Sequence, residues 1–211
     1  MTQSPSPRGN EAPDAEPGGV RAFRARSWLL LGAALRGTPG DAVLDQLERF
    51  AATTAIVPDD PASGELGRAW TAIADALPGV DPGRLDDEFH DLFIGIGRGE
   101  LVPYGSWYRT GFLMDRPLVA LRRDLDLLGF ERDPDVREPE DHVAALAEVM
   151  ALLADPAEGQ DEHTQRLFFS EHIDSWMPHF FADLQQAKSA DFYRAVGRVG
   201  AAFVEFERGW L

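Results

Sequence analysis

Apolar residues recur three and four positions apart through most of this chain, and strict apolar–polar alternation hardly appears. That period belongs to helices with one buried face, not to strands. Arg21–Arg36 carries an apolar block and stops at Gly37 and Pro39. Asp41 suits an N-cap, followed by Val43, Leu44, Leu47 and Phe50 on one face. Pro58 and Pro61 interrupt the chain before a stripe of Leu66, Trp70, Ile73 and Leu77 that ends at Pro78-Gly79. Asp81-Pro82 opens a helix with Leu85, Phe89, Leu92 and Phe93 inward, proline standing where a first helical turn tolerates it. Further helices are predicted from Asp115-Arg116-Pro117 to Gly129 and from Glu138-Pro139 through Leu153. Two more fall within about 160–188, and a last one runs from about Asp191 to Arg208. The expectation is an all-α fold: a single globular domain of about eight to ten helices spanning 20–211.

Residues 1–19, MTQSPSPRGNEAPDAEPGG, offer almost nothing to bury and predict a disordered tail. The block Trp28–Leu35 after Arg21, Arg24 and Arg26 superficially resembles a signal peptide. It is short, Arg36 closes it and no Ala-x-Ala site follows, so it reads as the first core helix. No run is long enough to span a bilayer, and stable membrane insertion is not expected.

Composition narrows the function. Thirty-six acidic against 20 basic residues give a net charge of −16, which repels nucleic acid and anionic lipid and attracts a cationic partner. The chain has no cysteine, which excludes disulfides, thiolate catalysis and Cys-ligated metal and is compatible with a reducing cytoplasm.

The stretch DLFIGIGRGELVPYGSW, 91–107, carries alternating glycines. A dinucleotide fingerprint requires a strand before it and a helix after it; here a helix precedes, and no Lys-Ser or Lys-Thr follows for a Walker loop. Asp141-His142 could orient a general base, but Ser106 has no Gly-x-Ser-x-Gly elbow around it. The same Glu138, Glu140 and Asp141 also suit a helix N-terminus electrostatically. His90, His142, His163, His172 and His179 are dispersed, and Asp87-x-x-His90 stands alone where a di-iron bundle would want two Glu-x-x-His motifs. No catalytic set, metal site or cofactor is expected. A long loop rich in glycine, proline and aromatics favours a binding protein over an enzyme. The alternative class is a helical metal-dependent or nucleotide-hydrolysing enzyme.

The order DEFHDLFIGIG (87–97), VPYGSWY (102–108), REPEDHVAALAEVMALL (137–153), FFSEHIDSWMPHFFADL (168–184) and DFYRAVG (191–197) resembles the TorD/DmsD family, related to the NarJ group. These are cytoplasmic chaperones that mature molybdenum redox enzymes, and the resemblance runs from about residue 21 onward. It implies a TorD-like helical fold, a cytoplasmic location and a non-enzymatic role. The protein would bind the twin-arginine signal peptide and apo form of a molybdopterin oxidoreductase precursor, assist cofactor insertion and hold back export. It would act as a monomer or a segment-swapped dimer. By position, the resemblance points to Leu92, Phe93, Gly105, Ser106, Asp141 and His142 as peptide-binding candidates. Glu138 and Glu140 join Asp141 as carboxylates suited to guanidinium pairing, and Tyr104 and Trp107 join as apolar contacts. Gly97, Gly99 and Gly105 would let a peptide approach the backbone. The chain departs from the family pattern at Gly95-Ile96-Gly97, where Gly-Pro is common.

Overall fold

The computed structural model describes residues 17–53, 61–96, 98–133 and 135–211. Among these residues ten α-helices follow one another: α1 Pro17–Arg36, α2 Asp41–Thr53, α3 Pro61–Ala76, α4 Pro82–Phe89, α5 Gly105–Thr110, α6 Arg116–Leu127, α7 Val143–Leu153, α8 Glu162–His172, α9 Met177–Gln186 and α10 Phe192–Trp210. No strand occurs among the described residues; two extended segments meet only in an isolated bridge between Tyr104 and His142. The all-α expectation is met. The tail expected over 1–19 lies outside the described residues as far as residue 16, and Pro17 already belongs to α1.

Local chemistry explains the helix starts. Asp81 accepts a hydrogen bond from the Arg84 N–H at 2.9 Å, and Pro82 supplies a preset first turn of α4. Asp115 caps α6 through the Arg116 N–H, and Asp161 caps α8 through the Thr164 N–H at 2.9 Å. A side chain distant in sequence serves α10: the Glu88 carboxylate on α4 accepts from the N–H groups of Asp191, Phe192 and Tyr193 at 2.7–3.2 Å.

The core forms where α1 packs along α7 and α10 lies against α3 and α9. Trp28, Trp70, Trp176, Phe180 and Phe203 are wholly enclosed there. No described helix is long and apolar enough to cross a membrane. The apolar block of α1 is a core helix, as expected, and one of its arginines is also buried. Arg24 donates from Nε and Nη2 to Glu207 of α10 at 2.5 and 2.9 Å, and the Trp28 indole N–H donates to the same carboxylate at 3.1 Å. Both charged side chains are fully enclosed, so the forked geometry compensates a large desolvation cost on each.

Two boundaries differ from expectation. The segment starting at Glu138-Pro139 is not yet helix; α7 begins at Val143, because the backbone of 141–143 is engaged by another segment described below. The loop after α4 is not wholly irregular, since it contains α5.

Replacing Glu207 by alanine strands a buried guanidinium. Urea unfolding should show a loss of about 3–5 kcal/mol for Glu207→Ala. The double variant Arg24→Met with Glu207→Leu should recover most of it.

Candidate functional site

Past Phe89 the chain winds one wider, π-type turn, His90–Ile94, closed by the Gly95 N–H donating to the His90 carbonyl at 2.7 Å. This turn puts Leu92 fully in the core and sets Phe93 half-buried among Phe89, Phe180 and Tyr193, with ring centroids 5.0, 6.5 and 5.4 Å away. The chain then doubles back, the N–H groups of Glu100 and Leu101 donating to the carbonyls of Asp91 and Leu92. Gly99 lies so close that a Cβ there would come within 2.5 Å of the Phe93 backbone. Its missing side chain serves the protein's own packing.

The next residues are stitched to the start of α7. Gly105 N–H donates to the Asp141 carbonyl and Val143 N–H to the Pro103 carbonyl, both at 2.9 Å. The Asp141 side chain completes the seam: its Oδ2 accepts from the Ser106 N–H at 2.7 Å, in the first turn of α5. Asp141 is 3% exposed and Ser106 wholly buried. A carboxylate at a helix N-terminus satisfies an orphan donor and meets the positive end of the helix dipole. Gly105 lies under Trp176, and a Cβ would sit 3.1 Å from the indole nitrogen. An added Cβ would require the Trp176 indole to give by a few tenths of an ångström.

His142 is the N-cap of α7, its Nδ1 accepting from the Ala144 N–H at 3.2 Å, with the Tyr104 ring edge-on at 5.1 Å. Burial, reinforced by the positive Arg36 nearby, pushes its pKa down to about 4. The Tyr104 hydroxyl donates to Glu138. Trp107 is half-buried, with the Arg98 guanidinium 5.2 Å over its ring.

Beside this seam, between α6, the segment 130–140 and α7, runs a groove of about 370 Å³. Its apolar lining includes Leu125, Phe130, Val136, Val149 and Leu152, and its lining carries six carboxylates against three guanidiniums. The three arginines are partly spent internally. Arg36 grips Glu148 through Nε at 2.6 Å and through Nη2, and Arg122 donates to Glu140 Oε2 from Nε and Nη2 at 3.0 and 2.9 Å. Arg132 stands 3.5 Å from Glu140 Oε1. Burial pushes the Glu140 carboxyl up, but the Arg122 hydrogen bonds and the charges of Arg122 and Arg132 outweigh it and hold the pKa below the ordinary glutamate value.

The structure therefore gathers Tyr104, Gly105, Ser106, Glu138, Glu140, Asp141 and His142 around one seam, with Glu138 and Glu140 on the groove. Leu92 and Phe93 do not line it. Sequence reasoning missed the α6 side of the groove and the arginines within it. The available signal was Phe130 and Val136 standing apolar in a charged stretch after the Gly129 stop.

Two measurements probe the seam. Asp141→Ala leaves a buried N–H unpaired and should cost about 1–3 kcal/mol in chemical unfolding, with Asp141→Asn milder because it keeps the acceptor. In a proton NMR titration, His142 should stay neutral until about pH 4. Since the unfolded chain takes up that proton near the ordinary 6.5, His142's contribution to stability is complete above pH 6.5 and falls as pH drops from there toward 4.

Comparison with known proteins agrees with this architecture. A solved structure from Archaeoglobus fulgidus, described as a candidate redox enzyme maturation protein, superposes with a TM-score of 0.60 over 94% of this chain and 99% of that one, at 18% identity. A chaperone protein TorD of Vibrio cholerae serotype O1 is 31% identical over 137 residues, 60% of this chain and 62% of its own length. A protein of Haemophilus influenzae described as a probable Tat proofreading chaperone, DmsD, is 30% identical over 116 residues, covering 53% of this chain and 54% of its own length. The match thus spans just over half to three-fifths of these chaperones. The family model described as nitrate reductase delta subunit matches residues 59–182, which takes in α3 to α8, the seam and all of the groove's lining except Arg36. The chain belongs to the nitrate reductase delta subunit family.

Proposed function

We propose that this protein is a non-catalytic chaperone that binds the twin-arginine signal peptide of a molybdoenzyme precursor and keeps it from export until the cofactor is inserted. The observation that carries this reading is the groove between α6 and α7, where an apolar lining lies beside an excess of carboxylates. A twin-arginine peptide presents two guanidiniums followed by an apolar stretch, a pattern complementary in charge and apolar character. Carboxylates pair guanidinium in a forked geometry that an ammonium does not reproduce. The apolar residues supply area for the following segment.

Within the groove the contact residues are Glu138 and Glu140, with the apolar side chains of α6 and α7 beneath. Tyr104 and His142 form the wall behind Glu138 through the hydroxyl bond and the ring contact. Asp141, Gly105 and Ser106 fix the seam that places this wall, and Leu92 and Phe93 anchor the turn leading to it. Trp107 offers a partly exposed ring under Arg98. The relatives' names support the chaperone role. The net charge of −16 favours capture of a basic peptide over nucleotide or nucleic acid. A cytoplasmic site of action follows from that role, since the client is held before export.

Calorimetry with a peptide bearing Arg-Arg before an apolar segment should give saturable binding. Its Lys-Lys version should bind about tenfold more weakly, as expected for loss of forked pairing. Leu152→Asn, on the exposed edge of the groove, should weaken the Arg-Arg peptide several-fold without changing the unfolding midpoint. Equal affinity for both peptides would contradict the guanidinium reading.

A further inference from the structure

Glu140 is the best-placed carboxylate in the groove, and it is already occupied by the protein itself. Its side chain is only 16% exposed, so a cation beside it is less screened than one on an open surface. Its two oxygens are held unequally. Oε2 accepts two hydrogen bonds from Arg122, which projects from α6. On Oε1 the charged neighbour is Arg132, whose Nη1 stands 3.5 Å away, beyond normal hydrogen-bond range, while the backbone N–H of Glu140 itself also contributes a hydrogen bond to the carboxylate. The other terminal nitrogen of Arg132, Nη2, donates instead to the Val136 carbonyl at 3.1 Å, and its side chain is 44% exposed. Arg122 is therefore a fixture and Arg132 a loosely held counter-ion of a carboxylate that lines the groove. Asp126 and Glu131 also line the groove but are exposed, with no described side-chain partner. They attract a cation at longer range without offering a desolvated seat.

We propose that Arg132 is an internal stand-in for the client's arginine, occupying the Glu140 Oε1 position until a partner guanidinium displaces it. This rests on the groove reading above and gives that groove a built-in competitor. An incoming guanidinium that donates directly to Oε1 replaces a 3.5 Å contact with a hydrogen bond, so exchange favours the client. A lysine ammonium has no fork with which to bridge Oε1 and a neighbouring acceptor, so it gains little from evicting Arg132. The competitor thus filters basic peptides in favour of arginine. An exposed ion pair of this kind contributes up to about 1 kcal/mol, so its removal is expected to tighten binding by about two- to fivefold.

The test is calorimetry with the full chain, using the Arg-Arg and Lys-Lys peptides against the native protein, Arg132→Gln and Arg123→Gln. Arg123 lies on α6 outside the groove and pairs with Asp124, so its variant removes the same charge without touching Glu140. The expected result is a two- to fivefold gain for the Arg-Arg peptide in Arg132→Gln alone, with a clearly smaller gain for the Lys-Lys peptide. An unchanged or weakened Arg-Arg affinity overturns the proposal, and so does an equal gain in Arg123→Gln or for the Lys-Lys peptide. If the folded native protein binds neither peptide, the groove reading itself fails, an outcome distinct from a native protein that binds while Arg132→Gln shows no gain.

Discussion

The short seam joining Pro103–Ser106 to Asp141–Val143 is the constraint on which the site depends. Two backbone hydrogen bonds and the Asp141 carboxylate hold together segments 35 residues apart. A helix as short as α5, six residues, has almost no stability of its own. Its start is fixed by a buried side chain from the other segment. Because α5 leads into α6, and the other side of the seam opens α7, the same few bonds set how far α6 stands from α7. That separation is the width of the groove. Asp141, attractive in sequence as a surface carboxylate for a peptide, works inside the protein as the part that holds the groove's walls in register.

Electrostatics is divided between interior and surface in a similar way. Among the described residues, the fully buried ion pair of Arg24 with Glu207 joins α1 to α10 through a forked geometry and an indole N–H, leaving only Nη1 of Arg24 without a hydrogen-bond partner. In the groove the arginines are only partly engaged, and carboxylates remain in excess. The internal guanidiniums relieve some of the repulsion among the groove's neighbouring carboxylates. Those guanidiniums are also the natural competitors for a basic ligand.

Much of the fold was legible in the sequence, and the reasons are local. Asp81-Pro82, Asp115 with Pro117 and Asp161 are caps that act within three residues, so they announce α4, α6 and α8 directly. The apolar stripe of Trp28–Leu35 identified a core helix where basic residues suggested a leader. What escaped depends on partners remote in the chain. The late start of α7 follows from bonds to Pro103 and Gly105, and the burial of Arg24 from a glutamate 183 positions away. The glycines at 99 and 105 looked like room for a peptide, but each is filled by the protein's own turn or indole. Leu92 and Phe93 lie on the inward face that their helical stripe predicts; the burial of Asp141 follows instead from its bond to the distant Ser106.

The central claim is that a twin-arginine peptide lies along the α6–α7 groove. Photo-crosslinking answers this most directly, with a benzophenone placed just after the arginine pair and the products mapped by mass spectrometry. A peptide in the groove should give adducts confined to the residues that line it, such as Leu125, Phe130, Val149 and Leu152. Adducts concentrated instead on the exposed apolar residues Phe112, Leu113 and Met114 between α5 and α6 would contradict it.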